Sequence, residues 1–306
     1  MTKPRILLFA LTCLLALSGC SIRQVAVSRL ADTLAAGGSV YASDNDPELV
    51  GEALPFSLKT IEGLLLEVPE HRGLLLTAAS GFTQYSYAWV DLESFVIEYS
   101  DPHRAGQLKR RAKNLYLRGR AYALRAVQLQ FQQPDFVGSL RRDAQGTLSR
   151  FSKENIPELY WLALSWAAAI ASDTSDMDLV ADLNLVDAIM RRCLELDEGY
   201  DDGALHEFMI AWQGGRSPLQ GGGADSARQH FARAVGLSGD LRIGGLVSLA
   251  ESVSVTEQNR AEFEQLLDKA LAFNVDAHPP TRLANLVAQR RARVLLSRAD
   301  NFFLED

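Results

Sequence analysis

Cysteine is scarce in this chain: three occur in 306 residues, at 13, 20 and 193. A disulfide-stapled fold is therefore excluded, and stability has to come from a packed core, which 47% apolar residues can supply. Cys193 sits in the apolar-patterned stretch Ile189 to Leu194 and reads as a small buried hydrophobe. Excess positive charge is absent too. The formal charge is -7, which disfavours general binding of nucleic acid or anionic lipid. After residue 20 no apolar run is long enough to span a bilayer. Strand-like alternation is almost missing, and so are enzyme signatures. The histidines at 71, 103, 206, 230 and 278 show no ligand spacing. His206-Glu207 opens like a zinc-protease helix, but position 210 is isoleucine, and Gly221 to Gly223 is followed by Ala224-Asp225 where a phosphate loop needs Lys-Ser or Lys-Thr. No cofactor, metal site or catalytic residue is expected.

What is present begins at the front. Lys3 and Arg5 precede the apolar run Ile6 to Leu17, and Leu17-Ser18-Gly19-Cys20 follows. That is a secretory leader (1–19) whose last residues form a lipoprotein-processing motif, with Cys20 as the lipidation site and new N-terminus. An ordinary secretory signal with an incidental cysteine is the other reading. Loss of Lys3 and Arg5 would take the formal charge to -9, with 29 basic residues against 38 acidic. The expected location is the periplasm, anchored by lipid to the outer membrane (or the inner), since Ser21 is not the aspartate that commonly retains lipoproteins inside.

Period-3.6 patterning predicts helices over roughly 22–36, 47–67, 71–98, 104–131, 156–172, 177–196, 201–213, 224–237, 241–252, 257–273 and 280–303. Short breaks such as Asp46-Pro47, Asp101-Pro102 and Gly239 separate them, so neighbours pack as antiparallel hairpins in an all-α fold. Residues 20–40 form a tether and first helix, and 41–306 a single domain. Residues 132–155 read as a long loop with a short turn at Phe136 to Leu140. The spacing of Ala227, Phe231 and Ala234, and of Ser57, Ile61 and Leu64, fits the second helix of a tetratricopeptide unit. Looser copies, Val186, Met190 and Cys193 and then Phe263, Leu267 and Ala270, begin 41 residues before and 36 residues after Ala227. The fold is thus read as degenerate tetratricopeptide-like hairpins in a superhelical arrangement, with a generic helical bundle as the alternative.

Five runs carry a resemblance: Ala79 to Ala88 (ASGFTQYSYA), Leu115 to Arg118, Pro157 to Trp161, Asp202 to Glu207, and Leu283 to Ala292 (LANLVAQRRA). Together they resemble the T component of tripartite ATP-independent periplasmic (TRAP) transporters. The resemblance implies an exported, lipid-anchored helical protein whose partner is a TRAP periplasmic solute-binding protein. It further implies a role in capture or hand-off of a small apolar or amphiphilic solute, a homo-oligomer such as a trimer, and a channel through each subunit.

Candidate channel residues are Phe82, Tyr85 and Trp89, at i, i+3 and i+7 on one helix face, with Tyr116, Tyr160 and Trp161 on other helices; Tyr122 and Trp166 extend the set. Ordinary core packing is the competing explanation. Between Pro102 and Pro134 stand eight basic residues and no acid. Arg111, Arg118 and Arg125 recur every seven residues, a face that can steer an anion or dock an acidic partner, or that simply pairs with Asp91, Glu93 and Glu98. The reading is an accessory transport component that does no chemistry. Its rivals are an enzyme working inside the helical channel and a ligand-free envelope scaffold.

Overall fold

The structure, a computed structural model, describes residues 27–33, 37–132 and 135–304. The leader and Cys20 lie outside the described residues. Within them the chain is all-α, without a strand. Helix α1 (27–33) and α2 (Gly38–Ala42) precede the long α3 (Pro47–Glu67). Next come α4 (Arg72–Tyr85), the π-helical segment Ser86–Asp91, α5 (Leu92–Val96) and α6 (Pro102–Phe131). The α3 and α6 starts show why Asp-Pro marks a boundary. Asp46 accepts from the Glu48 and Leu49 amides, each at 3.0 Å, and Asp101 from the Arg104 amide at 2.9 Å, while each proline occupies a position whose N–H would have no helical partner.

The loop expected over 132–155 is instead two short helices, α7 (Phe136–Arg142) and α8 (Ala144–Leu148). Asp135 and Asp143 cap them through the Gly138 and Gly146 amides, both at 2.9 Å. A triangle of Phe131, Phe136 and Phe151, with ring centres 5.4–5.9 Å apart, buries what a solvated loop would leave exposed. Helix α9 (Ile156–Ser172) follows, then α10 (Met177–Val180) and α11 (Leu183–Asp197). Cys193 on α11 is fully buried, and burial pushes its thiol up to about 12, as suits a packing residue.

The second half comprises α12 (Ala204–Gly214), α13 (Ala224–Ser238), α14 (Gly244–Leu249) with its π-helical continuation Ala250–Ser254, α15 (Arg260–Ala272) and α16 (Arg282–Ser297). Entry to α12 passes through a left-handed run, Asp201, Asp202 and Gly203, with φ of 45°, 51° and 92°. At Gly203 a Cβ would also stand 3.2 Å from the Leu237 Cβ of α13, so glycine is favoured chiefly by backbone sign and also by the close approach of that helix. Ala227 and Ala234 are buried with Ile210, Leu249 and Val253 where α12, α13 and α14 meet.

Helix α6 packs between α4 and α9, and that sandwich holds the largest apolar core, including Tyr116, Phe136 and Trp166. Closest approach to α4 occurs at Gly119, where a Cβ would lie 2.6 Å from Thr83 Oγ1 and 3.0 Å from the Ala79 carbonyl. A second core surrounds Phe263, Leu267 and Ala292 in the last helices. The chain then closes on itself. Helix α16 returns to α2 and α3, and Val287 joins Ala88 and Leu92. Arg298 donates to the Phe95 and Val96 carbonyls at 2.7 and 2.6 Å, and Arg282 to the Ser43 carbonyl at 2.7 Å. These are charge-assisted bonds to carbonyls near helix ends, where a cation is favoured.

Candidate functional site

Closure of the chain brings polar side chains from successive helices to one region. Several of the contributors stand on two π-helical segments, which occur in helices mostly as local insertions and frequently at functional sites. In the first, Ser86 is buried and donates to the Ala112 carbonyl at 3.0 Å, fixing the segment on α6. Tyr87 and Asp91, four residues apart, come from the same π segment. Asp91 accepts from Tyr116 Oη at 3.2 Å and pairs with Lys109 at 3.1 Å. Tyr87 keeps 42% of its surface exposed, yet enclosure by the surrounding helices raises its phenol pKa; Arg291 opposes this, and Glu251, Asp91 and Glu207 reinforce it.

The second π segment delivers Glu251, which holds Arg291 of α16 through two bonds of 2.8 and 2.5 Å. Desolvation disfavours the Arg291 charge, but Glu251 outweighs it and the pKa is raised. Opposite, Arg242 donates through Nε to Glu207 at 2.8 Å and through Nη1 to Asp201 at 3.2 Å. Desolvation again opposes the charge and the carboxylates prevail. Tyr160 completes the region. It is 9% exposed, its hydroxyl has no hydrogen-bond partner among the described residues, and burial pushes its pKa up; Arg242 opposes, while Glu207 and Asp201 add to the rise. Its ring meets Trp161 edge-on at 5.1 Å and Tyr200 at 5.6 Å. The arrangement fixes a set of dipoles and paired charges around phenol groups. It can orient a polar group brought against it, and every cation named here already has a carboxylate.

The six aromatics proposed from sequence fall in two places. Tyr116 and Tyr160 reach the polar region, with Trp161 beside Tyr160. Phe82, 4% exposed, stacks on Tyr122 at 5.9 Å among Leu58, Leu74 and Leu75. Tyr85 stacks on Trp89 at 5.8 Å, and the Trp89 indole donates to the Pro47 carbonyl at 2.8 Å while lying against Gly51 of α3. These three rings brace the α3–α4 seam. The basic face of α6 lies along that seam too. Arg118 binds Glu62 and covers Phe82 at 4.9 Å, Arg125 donates to the Pro69 carbonyl at 2.8 Å, and Arg111 approaches Tyr85 Oη at 3.5 Å. Of the three acids named as alternative partners, Asp91 pairs with Lys109, and Glu93 and Glu98 pair with Arg290 and Arg298 of α16.

Tyr87, Glu207, Arg242, Glu251 and Arg291 were not among the channel residues expected from sequence, Glu207 having been considered only as part of an incomplete zinc-protease motif. A signal existed for three of them, since Tyr87, Glu207 and Arg291 lie inside the runs Ala79 to Ala88, Asp202 to Glu207 and Leu283 to Ala292.

A histidine pair joins α12 to α13. His206 Nδ1 and His230 Nδ1 are 2.8 Å apart, and His206 Nε2 is 3.5 Å from Glu198, itself held by Arg233. Burial first, then the His206 charge, lowers His230 to about 4, and burial lowers His206. Both folded pKa values lie below the unfolded value of about 6.5, so the unfolded chain binds more protons between them. Stability is fully present above pH 6.5 and is expected to fall as pH drops towards 4, by about 1–2 kcal/mol after discounting for partial exposure. Urea midpoints at pH 7 and 4.5 should show that loss shrink in a His230→Gln variant; an unchanged loss would place its origin elsewhere.

The model of the family described as TRAP transporter T-component matches residues 43–303 of this chain. A protein of Treponema pallidum (strain Nichols), described as uncharacterized, is 27% identical over 318 residues, covering 98% of both chains.

Proposed function

This chain belongs to the TRAP transporter T-component family, and on that footing we propose that it is a periplasmic, lipid-anchored accessory subunit that binds a TRAP solute-binding protein and gives an apolar or amphiphilic solute a sheltered path. Anchoring is assigned to Cys20, the hairpins are read as tetratricopeptide-like, and a trimer is the proposed assembly. No helix among the described residues is long and apolar enough to cross a membrane. The observation that carries the solute path is convergence: Tyr87, Tyr116, Tyr160, Glu207 and Arg291, each from a different one of the five family-like runs, are near one another in charge and contact. Aromatic walls supply apolar area, and the phenol groups of Tyr87 and Tyr160 supply orientation. Phe82, Tyr85 and Trp89 would form a wall of the same half, and Arg111 and Arg125, with Arg118 partly neutralised by Glu62, the face offered to an acidic partner.

The test uses the unanchored Cys20→Ala protein and its cognate solute-binding protein loaded with solute. Tyr87→Ala with Tyr160→Ala should reduce solute transfer about tenfold while complex formation in a pull-down stays unchanged. Loss of complex formation together with transfer would sink the path assignment, and a processed Cys20→Ala protein that still sediments with membranes would sink the anchor.

A further inference from the structure

Helix α3 is apolar on two faces. One is spent inside the molecule, where Val50, Leu58, Ile61 and Leu65 are buried. The other looks outward. Leu49, Glu52, Phe56, Lys59, Gly63 and Leu66 follow one another at intervals of three, four, three, four and three residues, and all six are exposed. That is the spacing of a coiled-coil seam, which keeps to one side of a helix. Leu49, Phe56 and Leu66 leave 56%, 78% and 85% of their surface open, so large apolar side chains lie in a line and are not scattered singly. Gly63 adds a position of no bulk, where a Cβ would meet nothing within 4 Å. Lys59 reaches Glu62 at 2.7 Å, and the Glu52 side chain makes no hydrogen bond or ion pair among the described residues.

The stripe is complementary to itself when reversed. With a second copy of α3 antiparallel about a two-fold axis between Ser57 and Leu58, Leu49 of each copy meets Leu66 of the other, Phe56 meets Lys59, and Glu52 meets Gly63. The apolar ends pair, an ammonium covers a ring, and the glutamate falls on the one position without a side chain. Glu52 then stands one turn from Lys59 of the second copy, with opposite sign. A parallel pairing in register sets Glu52 on Glu52 and Lys59 on Lys59. We infer that this face is the contact between two copies of the chain, joined through antiparallel α3 helices. A bilayer surface suits it less, because Glu52 and Lys59 stand within the apolar stripe and not on the opposite face. A contact limited to one helix face is at the small end of specific interfaces, below about 1,200 Å² in total, so the pairing is weak and reversible. It does not depend on the transport reading, and on a three-fold assembly it would join two trimers.

Sedimentation equilibrium of residues 21–306, which keep every apolar core of the fold and lack Cys20, tests it. Reversible association in the micromolar range is expected, and Phe56→Glu or Leu66→Glu should weaken it at least about tenfold. Both side chains are exposed, so thermal unfolding should stay where it is in either variant. Direction is read by cross-linking. A mixture of Leu49→Cys and Leu66→Cys chains should form a disulfide-linked pair on mild oxidation. Neither variant should do so alone, because equivalent positions would lie about 26 Å apart along the helix axes. A chain that stays monomeric at millimolar concentration, association indifferent to both glutamate variants, or Leu49→Cys linking to itself would overturn the assignment. So would binding to phosphatidylethanolamine vesicles that Phe56→Glu abolishes, in the absence of self-association, since the face would then belong to lipid.

Discussion

Replacing Arg72 by alanine is expected to lower the free energy of unfolding by about 2–4 kcal/mol, below the range for removing one partner of a fully buried pair because Arg72 itself is 42% exposed. Glu158, in the first turn of α9, is fully buried, and Arg72 at the start of α4 is its ion-pair partner. The hydrogen bond to Glu158 raises the Arg72 pKa despite some desolvation, and Arg72 also donates to the Glu154 carbonyl at 2.7 Å. One carboxylate oxygen of Glu158 is already without a partner. With Arg72 gone, the charge would stay in the core with nothing to compensate it. A change in both positions, Arg72→Met with Glu158→Leu, removes the charge as well as its partner and should regain most of the loss. Urea unfolding followed by circular dichroism measures both. A cost below about 1 kcal/mol for Arg72→Ala would show that the pair behaves as a solvated surface bridge.

The same contrast between local and distant interactions explains what was legible in the sequence. Helix α9 is read at its actual bounds, 156–172, because Asn155-Ile156-Pro157 starts it and apolar residues continue to Ser172. The α7–α8 segment is not, because helices of seven and five residues hold too little periodicity to be seen. Their starts are set by Asp135 and Asp143, ordinary loop residues until the capped amides are known. The two π segments are likewise silent, since one inserted residue hardly disturbs an apolar pattern. For the candidate site, Tyr116 and Tyr160 were visible as aromatics on separate helices. Arg242 and Glu207 lie 35 residues apart, Arg291 and Glu251 40 apart. No spacing rule pairs residues at such distances; only closure of the chain does.

Separating Arg291 from Glu251 is expected to cost about 2–4 kcal/mol, somewhat below the range for fully buried pairs because the two side chains retain 17% and 35% exposure. Arg291→Met leaves Glu251 facing the enclosed region alone, and Glu251→Gln leaves Arg291 unpaired above the Tyr87 and Phe95 rings, 5.9 and 4.8 Å away. Because each single change also strands its partner, the double variant should cost less than the two singles together, with a coupling of about 1–3 kcal/mol. Arg290 provides the comparison on the same helix. Its pair with Glu93 is 43% and 39% exposed, so Arg290→Met should cost no more than about 1 kcal/mol. The consequence for function follows from position. Arg291 joins the last helix to the second π segment and stands beside Tyr87, so loosening it widens the region where Tyr87 and Tyr160 would orient a solute. Solute transfer should therefore fall in Arg291→Met at temperatures where the protein remains folded, and be unaffected in Arg290→Met. If the single costs add within about 0.5 kcal/mol, the pair is uncoupled, and closure of the chain depends instead on the Arg298 and Arg282 bonds to the first helices.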